Sequence, residues 1–547
     1  HEYDHLQGIE FLEKISENRK IISWDFYRRD IRNSKEQKTS SRITKIEYKR
    51  INMRKIPSVM FSQHPDNASS PYWHSKPYIE THHELFECYL MFKELGAQEY
   101  MWDWEGKLVD ESVIERLLQE YPDFFEKKPI GKELFITFRI PNPAVETGFR
   151  LARAFMVILS ARQLALSHDL HAPPLFEVIL PLAEKAEDMI YIQKSFQRLA
   201  RAVHITFKGT NLPFDSIEVI PTFEDVQTLM NSGKILKKYI EFTQKNFHSL
   251  PIYLRPFCAR SDPALNSGII PTTLAIKWAL SEYAKFTQDT GILTYPIIAP
   301  GALPFRGGLT PETVDEFMKE FQGIKTVVIQ SSFRYDYPVQ KVKYAIGKIT
   351  KNLPQSKSVI LSDKIGKDIH SIIPWFETSY KDMIMQIAPF VNNLSRYIPK
   401  RRERFQHIGL FGYSREVSGI KLPRAIGFTA CCYSLGIPPE LIGIGKGLKK
   451  AIKENKIKLI ESLYKGLRPV LIQAGRYLRK ESITVLGLKD LEKDIKIIEN
   501  YIGENLGPKT KTEIEHGQLV AQIVSYMKNG KNPQSAIKQA AEYFLIQ

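Results

Sequence analysis

The sequence predicts an α/β protein with a TIM-type (β/α)8 barrel and additional, mostly C-terminal, helices. Three observations indicate this fold. Short apolar runs end in polar or charged residues, and they alternate with segments in which apolar residues recur every three or four positions. Strands that alternate with helices in this way form parallel sheets covered by helices. Nine strand-like runs occur along the 547 residues, and this number favours a closed eight-stranded barrel over an open doubly wound sheet.

The predicted strands are the apolar runs that stop abruptly at polar residues. In chain order they are Val59–Phe61, Glu99–Trp104, Leu134–Ile140, Phe176–Leu182, Ile217–Phe223, Ile252–Phe257, Tyr295–Pro300, Thr326–Ser331 and Ile408–Tyr413. Segments with helical spacing lie between many of them, and they include Val113–Tyr121, Phe149–Leu166 and Pro311–Phe321.

The two ends of the chain differ from the barrel in composition. Residues 1–52 are polar and rich in Arg and Lys, and we expect an extension of uncertain order, with a regulatory or oligomer-clamping arm as the alternative. Residues 53–547 are expected to form a single barrel domain whose helical C-terminal part spans about 447–547. There Ile460, Leu463 and Leu467 recur at helical spacing, which predicts a packing face with solvated lysines opposite rather than a binding surface.

Charge and motifs narrow the function classes. The net charge of +16 is compatible with nucleic acid, an anionic membrane surface or small anionic substrates. The chain has no GxGxxG after an early strand and no GxxxxGK[ST], which argues against nucleotide binding and kinase-type chemistry. The four cysteines show no CxxC spacing, so we expect a reducing, cytoplasmic setting without a zinc site.

One apolar stretch is long enough to suggest a membrane span. Residues Ala425–Gly445 are mostly apolar, but Pro438, Pro439 and Glu440 lie inside the stretch. A carboxylate in the middle of a bilayer is costly, so we expect a buried strand followed by a loop, and no membrane association.

Polar residues at the predicted strand ends form the candidate site, because the chemistry of such barrels lies at the carboxyl ends of the strands. The stretch LRPFCARSDPALNSG, for instance, brings Asp262 to the end of a strand. The whole set is His64, Asp103, Glu105, Arg139, Glu224, Asp262, Arg306, Arg334, Arg415 and Arg424.

These residue types indicate a hard divalent cation together with an anionic substrate. Mg²⁺ or Mn²⁺ prefers carboxylate oxygens, so Glu224 and Asp262 suffice when substrate and water supply the other ligands. The planar guanidinium of arginine binds phosphate or carboxylate through two parallel hydrogen bonds. The glycines beside Arg306 allow the backbone to approach a bound oxyanion. Taken singly, Asp103, Glu105 and His64 are more often structural, and Arg139 and Arg415 could tether helices to the barrel rim. Only Asp262 and Arg306 indicate function on their own, so the prediction depends on the whole set.

At these residues the chain resembles the archaeal-type, short-form phosphoenolpyruvate carboxylases. Motifs that occur in the order typical of this family are IPSVMFSQHPDN, EYMWDWEGK, RIPNP, ARSD, ALPFRGG, QSSFRYD, YSREV and PRAIGFTACCYSLGIPPELIGIGKGL. The resemblance is dense over residues 53–448 and looser beyond them. Two departures from the long bacterial and plant enzymes are Leu265, where those enzymes have a lysine, and a single RGG, so the resemblance implies nothing about allosteric regulation.

The resemblance implies condensation of phosphoenolpyruvate with bicarbonate to oxaloacetate and phosphate, dependent on Mg²⁺ or Mn²⁺, in a homotetramer without nucleic acid. It implies metal binding by Glu224 and Asp262 and a catalytic role for His64. It also implies that Arg306, Arg415 and Arg424 bind the anionic substrate, and Arg306 and Arg424 are counted with His64 as catalytic. Arg139 and Arg334 match the substrate-binding pattern less tightly.

Two other functions remain open at this point. One is another Mg²⁺-dependent barrel lyase or aldolase acting on 2-oxo acids, which would release no phosphate. The other is nucleic-acid binding, which predicts basic or aromatic stripes on one face; the arginines fall at strand ends instead.

Overall fold

The computed structural model describes residues 55–62, 69–76, 78–105, 107, 109–146, 149–167, 172–207, 216–247, 250–398, 403–404, 415–417 and 419–545. The predicted extension 1–52 and the predicted ninth strand 408–413 lie outside these residues. His64 also lies outside them.

Eight parallel strands close into a barrel, so the predicted fold class is confirmed. In the described part of the chain the strands are β1 (Val59–Ser62), β2 (Tyr78–Ile79), β3 (Glu99–Asp103), β4 (Phe135–Arg139), β5 (Glu177–Leu180), β6 (Glu218–Phe223), β7 (Tyr253–Leu254), β8 (Phe257–Ala259), β9 (Leu293–Thr294), β10 (Ile297–Ala299), β11 (Thr326–Ile329), β12 (Glu403–Arg404), β13 (Arg415–Val417) and β14 (Ile420–Leu422). The barrel order is β1-β11-β10-β8-β6-β5-β4-β3, and the remaining strands form three small two-stranded sheets.

Helices follow most barrel strands and dominate the C-terminal part. Within the described residues they are α1 (Thr81–Lys93), α2 (Val113–Glu120), α3 (Pro122–Lys127), α4 (Arg150–Ser167), α5 (Ala186–Thr206), α6 (Val226–Phe247), α7 (Ser261–Ser267), α8 (Ile269–Thr290), α9 (Val314–Glu320), α10 (Ser331–Tyr335), α11 (Val339–Asn352), α12 (Asp363–Ser395), α13 (Ala425–Ser434), α14 (Ile444–Lys453), α15 (Ile457–Leu463), α16 (Leu467–Gly475), α17 (Lys480–Val485), α18 (Lys489–Ile502), α19 (Lys511–Lys528) and α20 (Gln534–Leu545). Short 3-10 turns occur at Pro304–Arg306, Leu353–Gln355 and Pro439–Leu441.

The barrel interior is filled by one inward-facing apolar side chain from most strands. This inner cluster consists of Met60, Met101, Ile179, Ile220, Phe257, Ile297 and Val328. A much larger apolar core lies between the barrel and its helices. Because the interior is packed, a ligand has room only at an end of the barrel.

A buried ion cluster closes the amino end of the barrel. Arg255 lies 2.6 Å from Glu99 and 2.7 Å from Glu177, and all three side chains are almost completely buried. The hydroxyl of Tyr253 also donates to Glu177. Because these buried side chains fill the amino end of the barrel, the open end is the one at which the strands terminate.

Two predicted elements differ from the structure. The prediction of one strand over Ile252–Phe257 was wrong at its end, because Arg255 and Pro256 separate β7 from the barrel strand β8. The prediction of a strand within Ala425–Gly445 was also wrong: the segment contains helix α13, the Pro439–Leu441 turn and the start of α14. Short apolar runs do not distinguish a strand from a fully buried helix by periodicity.

The predicted helical packing face in the C-terminal part is confirmed by the described residues. Helices α14 to α20 cover residues 444–545, and Ile460, Leu463 and Leu467 are buried in the core. No single helix in the described ranges is long and apolar enough to cross a membrane, although the bent pair Ala425–Ser434 and Pro439–Lys453 passes that test by length and composition.

Candidate active site

A pocket of about 340 Å³ lies where the barrel strands end. Residues at or just beyond the ends of β6, β8, β10 and β11 line it, together with the ends of α12 and α13. Its lining consists of Met101, Arg139, Thr222, Glu224, Phe257, Ala259, Arg260, Ser261, Asp262, Ala299, Arg306, Gln330, Ser395, Ile398, Arg424, Ala425, Ile426 and Gly427. Five of the predicted site residues therefore share one cavity, namely Arg139, Glu224, Asp262, Arg306 and Arg424.

Arg306 is held over the pocket by neighbouring polar side chains. Its Nη2 donates to Oε1 of Gln330 at 2.5 Å, and its Nε donates to Oγ of Ser261 at 3.3 Å. Gly301 makes room for the guanidinium, because a Cβ there would lie 2.7 Å from Cζ of Arg306. Gly307 follows with φ of 120°, a conformation that favours glycine. The predicted approach of this backbone to a bound oxyanion stays a prediction.

A network of two carboxylates holds Arg139. Its Nε and Nη2 donate to Asp103 at 2.8 and 2.6 Å, and Nη2 also lies 3.0 Å from Glu105. Burial alone lowers the pKa of Arg139, but the carboxylates of Asp103 and Glu105 outweigh it and raise that pKa above its usual value. Arg139 therefore stays charged, and Asp103 and Glu105 act in this geometry as its anchors.

Arg424 immediately precedes helix α13 and lies near Arg139, because Glu105 contacts both arginines. Its Nη2 lies 3.2 Å from Oε1 of Glu105, while 43% of its side chain remains exposed. Ala425, Ile426 and Gly427, the first residues of α13, line the pocket beside it. The amide groups at a helix N-terminus favour a bound anion, so this wall adds to the attraction exerted by the arginines.

Glu224 and Asp262 contribute carboxylates to the same pocket. Glu224 is 8% exposed, and its Oε1 accepts a hydrogen bond from the backbone N–H of Leu182 at 3.1 Å. Leu182 adopts φ of 52°, a left-handed conformation that is uncommon and costly for a residue other than glycine. A strained backbone thus supplies the hydrogen bond that orients this carboxylate.

The donor set fits a hard divalent cation. Two carboxylates face one cavity, and the buried Thr222 Oγ1 beside them has no hydrogen-bond partner among the described residues. Mg²⁺ and Mn²⁺ are bound by such oxygen donors and keep several water ligands. Glu224 and Asp262 are therefore suited to hold the cation that the sequence predicts.

A second group of possible metal ligands lies elsewhere in the described residues. Glu80, His82 and His83 bring one donor atom each within 4.8 Å of one another. However, Glu80 and His83 already form the capping box of helix α1, and the positive end of the helix dipole disfavours a cation there. This group also lies outside the pocket lining.

Five predicted site residues are not among the described residues that line the pocket. Asp103 and Glu105 anchor Arg139 instead, and the other three are Arg334, Arg415 and His64. Arg334 is buried, and its Nη2 donates to the carbonyl of Ser62 at 2.8 Å, so it contacts the end of β1 rather than the cavity. The backbone of Arg415 pairs with Leu422, two residues before Arg424, but its side chain falls outside the described part. His64 follows Ser62 by two residues in the undescribed segment 63–68.

Sequence reasoning did not select five polar residues that line the cavity, Thr222, Arg260, Ser261, Gln330 and Ser395, of which Arg260 and Gln330 are the largest. Arg260 is 1% exposed, and its Nη1 donates to the carbonyl of Phe305 at 3.0 Å. Burial lowers its pKa. Both residues stand directly at strand ends in the motifs ARSD and QSSFRYD, so reading every polar residue at a strand end would have found them.

Comparisons with known proteins agree on one family. A family model described as Phosphoenolpyruvate carboxylase matches residues 56–543. The phosphoenolpyruvate carboxylase of Leuconostoc mesenteroides is 37% identical over 483 residues, covering 86% of this chain and 95% of that protein. The protein of the same name from Metallosphaera sedula is 35% identical over 517 residues, covering 90% and 99%. That from Pyrococcus horikoshii is 37% identical over 456 residues, covering 81% and 92%.

Proposed function

This chain belongs to the phosphoenolpyruvate carboxylase family and is an enzyme of the carboxy-lyase class, and we propose that its barrel-end pocket is where phosphoenolpyruvate and bicarbonate become oxaloacetate and phosphate. One observation carries the assignment of the site. A single cavity is lined by five charged residues, of which the first and the last are more than 280 positions apart in the sequence. They are Arg139, Glu224, Asp262, Arg306 and Arg424.

The arginines bind the substrate in this proposal. Phosphoenolpyruvate carries a phosphate and a carboxylate, both of which match the planar donor pattern of a guanidinium. Arg306 and Arg424, helped by the N-terminus of α13, hold these groups, with Arg415 as a third anion binder. Arg139 adds positive charge and shares the carboxylate of Glu105 with Arg424. Arg334 does not line the pocket, so its predicted role in substrate binding stays a prediction that this proposal does not use.

Glu224 and Asp262 are proposed to hold Mg²⁺ or Mn²⁺. When bound, the cation supplies positive charge beside the enol oxygen of the substrate. Leu182 keeps Glu224 oriented by its backbone N–H. The buried apolar residues of the pocket, Met101 and Phe257, exclude water from the reacting carbon.

The bonds change in two stages. An oxygen of bicarbonate attacks phosphorus while the bond from phosphorus to the enol oxygen breaks, which gives carboxyphosphate and the enolate of pyruvate. An imidazole nitrogen of His64 accepts the carboxyl proton of carboxyphosphate, whose C–O bond to the phosphoryl group then breaks to release CO₂ and phosphate. The enolate carbon attacks that CO₂ and forms the new C–C bond. The arginines keep the reactants together through both stages.

A coupled assay tests the function. Purified protein with phosphoenolpyruvate, Mg²⁺ and bicarbonate should form oxaloacetate and phosphate in equal amounts, without added nucleotide. Omission of bicarbonate should abolish both products. A requirement for a nucleoside diphosphate would indicate a carboxykinase, and cleavage without phosphate release would indicate an aldolase.

The same proposal includes the oligomeric state, the compartment and the partners of the protein. We expect a homotetramer in the cytoplasm, with no nucleic-acid or membrane partner, on the strength of family membership alone. Sedimentation velocity of the purified chain at micromolar concentration measures the assembly directly.

A further inference from the structure

The turn that carries Arg306 is held from both sides by charged residues of other elements. The backbone carbonyl of Phe305, the middle residue of the turn Pro304–Arg306, accepts a hydrogen bond from Arg260. The backbone N–H of Phe305 donates to Oε1 of Glu440 at 2.8 Å. The next N–H along the chain, that of Arg306, donates to the carbonyl of Leu303 within the same turn. The contact with Glu440 is therefore the one that fixes the amide of Phe305.

Glu440 itself is completely buried. Its Oε1 also accepts a hydrogen bond from the hydroxyl of Tyr433 at 3.1 Å, and its Oε2 has no hydrogen-bond partner among the described residues. Burial raises its pKa to about 7. A buried carboxyl group with an unsatisfied oxygen is costly, and in return Glu440 satisfies two buried donors, the N–H of Phe305 and the hydroxyl of Tyr433.

The position of Tyr433 adds a second connection. Tyr433 lies in helix α13, which begins directly after Arg424, and Phe428 of the same helix packs against Phe305 with ring centroids 5.7 Å apart. One carboxyl group thus joins the turn of Arg306 to the helix that follows Arg424. These two arginines are the anion binders of the proposed function.

We infer that Glu440 is a positioning residue that fixes the turn of Arg306 against the helix of Arg424, and so sets the spacing of the two arginines for phosphoenolpyruvate. This inference rests on the proposed function. Glu440 does not line the pocket. Its hydrogen bonds are to the backbone N–H of Phe305 and the hydroxyl of Tyr433, and its charge also interacts with Arg260.

Paired substitutions separate positioning from stability. Glu440→Leu removes the acceptor, and we expect the KM for phosphoenolpyruvate to rise about tenfold or more, with a smaller fall in kcat, because the anion-binding geometry relaxes. Glu440→Gln keeps an oxygen acceptor, and we expect it to restore KM to within about threefold of the wild type. Tyr433→Phe, a milder change that should fold, removes one of the two contacts and should raise KM about twofold to fivefold.

A matched control lies at the opposite end of the barrel. Glu177 is also buried, also accepts a tyrosine hydroxyl and also lies beside an arginine, Arg255. Glu177→Gln should lower Tm and leave the KM for phosphoenolpyruvate unchanged. The combination of Glu440→Leu with Arg306→Lys should raise KM no further than Arg306→Lys alone, because both changes disturb the same interaction.

The outcomes distinguish the two levels of the proposal. A folded Glu440→Leu or Tyr433→Phe variant with wild-type KM would overturn the positioning role while the wild type still forms oxaloacetate. Equal rises in KM for Glu440→Leu and Glu177→Gln would also overturn it, since stability alone would then account for the effect. Absence of bicarbonate-dependent oxaloacetate from the wild type would instead overturn the proposed function, and this inference with it.

Discussion

Glu105 and Arg424 form an ion pair at the edge of the pocket, with 3.2 Å between Oε1 of the carboxylate and Nη2 of the guanidinium. The other carboxylate oxygen of Glu105 lies 3.0 Å from Nη2 of Arg139. A single buried carboxylate therefore bridges arginines that stand 285 positions apart in the sequence. Without the negative charge of Glu105, the two guanidinium groups would repel each other more strongly.

The bridge predicts the behaviour of Glu105→Gln. Asp103 still holds Arg139 through two hydrogen bonds, so the fold should persist, but Arg424 loses its ionic partner. We expect the KM for phosphoenolpyruvate to rise about threefold to tenfold, corresponding to about 1 kcal/mol of lost preorganisation. Steady-state kinetics measure this. Glu461→Gln, which disrupts an exposed pair with Arg468, serves as the control and should leave KM unchanged.

The carboxylate pair predicts altered metal activation. In Glu224→Gln or Asp262→Asn, a neutral amide replaces a charged ligand, so the Mg²⁺ or Mn²⁺ concentration for half-maximal activity should rise about tenfold or more. Titration of activity with each metal measures the change. Asp225→Asn is the matched control, because Asp225 caps helix α6 through the N–H of Thr228 instead of lining the pocket. An unaltered metal dependence would remove the substituted residue from the ligand set.

His64→Asn should uncouple the two stages of the reaction. Phosphoenolpyruvate would still be consumed to some extent, but without the proton acceptor carboxyphosphate would not collapse, and the enolate would be protonated to pyruvate. Lactate dehydrogenase and malate dehydrogenase coupling distinguish the two products. His82→Asn, at the exposed start of α1, should retain the wild-type product. Undiminished oxaloacetate yield from His64→Asn would show that another group accepts the proton.

Gly301→Ala should displace Arg306. The added Cβ would lie 2.7 Å from Cζ and 2.9 Å from Nε of that arginine, closer than side chains pack. We expect the KM for phosphoenolpyruvate to rise about tenfold, together with a lower Tm, because the guanidinium can move toward the open pocket but Cβ of Arg306, 2.9 Å from the added atom, is fixed to the backbone. Gly347→Ala is the control: it lies in helix α11 with no atom near a built Cβ, and it should stabilise the protein by up to about 1 kcal/mol at constant KM.

Much of the fold could be predicted because most barrel strands end where an apolar run gives way to polar or charged residues. An apolar run that stops at a charged residue marks both the strand and the side of the barrel on which its last residue lies, which is why Glu224, Asp262 and Arg306 could be chosen. Arg424 was chosen correctly as a pocket residue although the segment after it was taken for a strand. Arg424 was chosen because of its sequence motif and not because of the predicted secondary structure around it.

The remainder depends on contacts that sequence patterns do not encode. Arg334 stands at a strand end, but the short helix α10 turns its side chain toward the carbonyl of Ser62. Glu440 looked like an interruption of an apolar run, and its link to Phe305 spans 135 positions. Such pairings become visible only when the barrel brings distant turns together.

The location of the metal tests the central claim most directly. Crystals grown with Mn²⁺ and phosphoenolpyruvate should show one anomalous scattering peak bound by Glu224 and Asp262, with the substrate phosphate or carboxylate on Arg306 and Arg424. A peak at Glu80, His82 and His83 with none in the barrel-end pocket, or substrate bound away from these arginines, would contradict it.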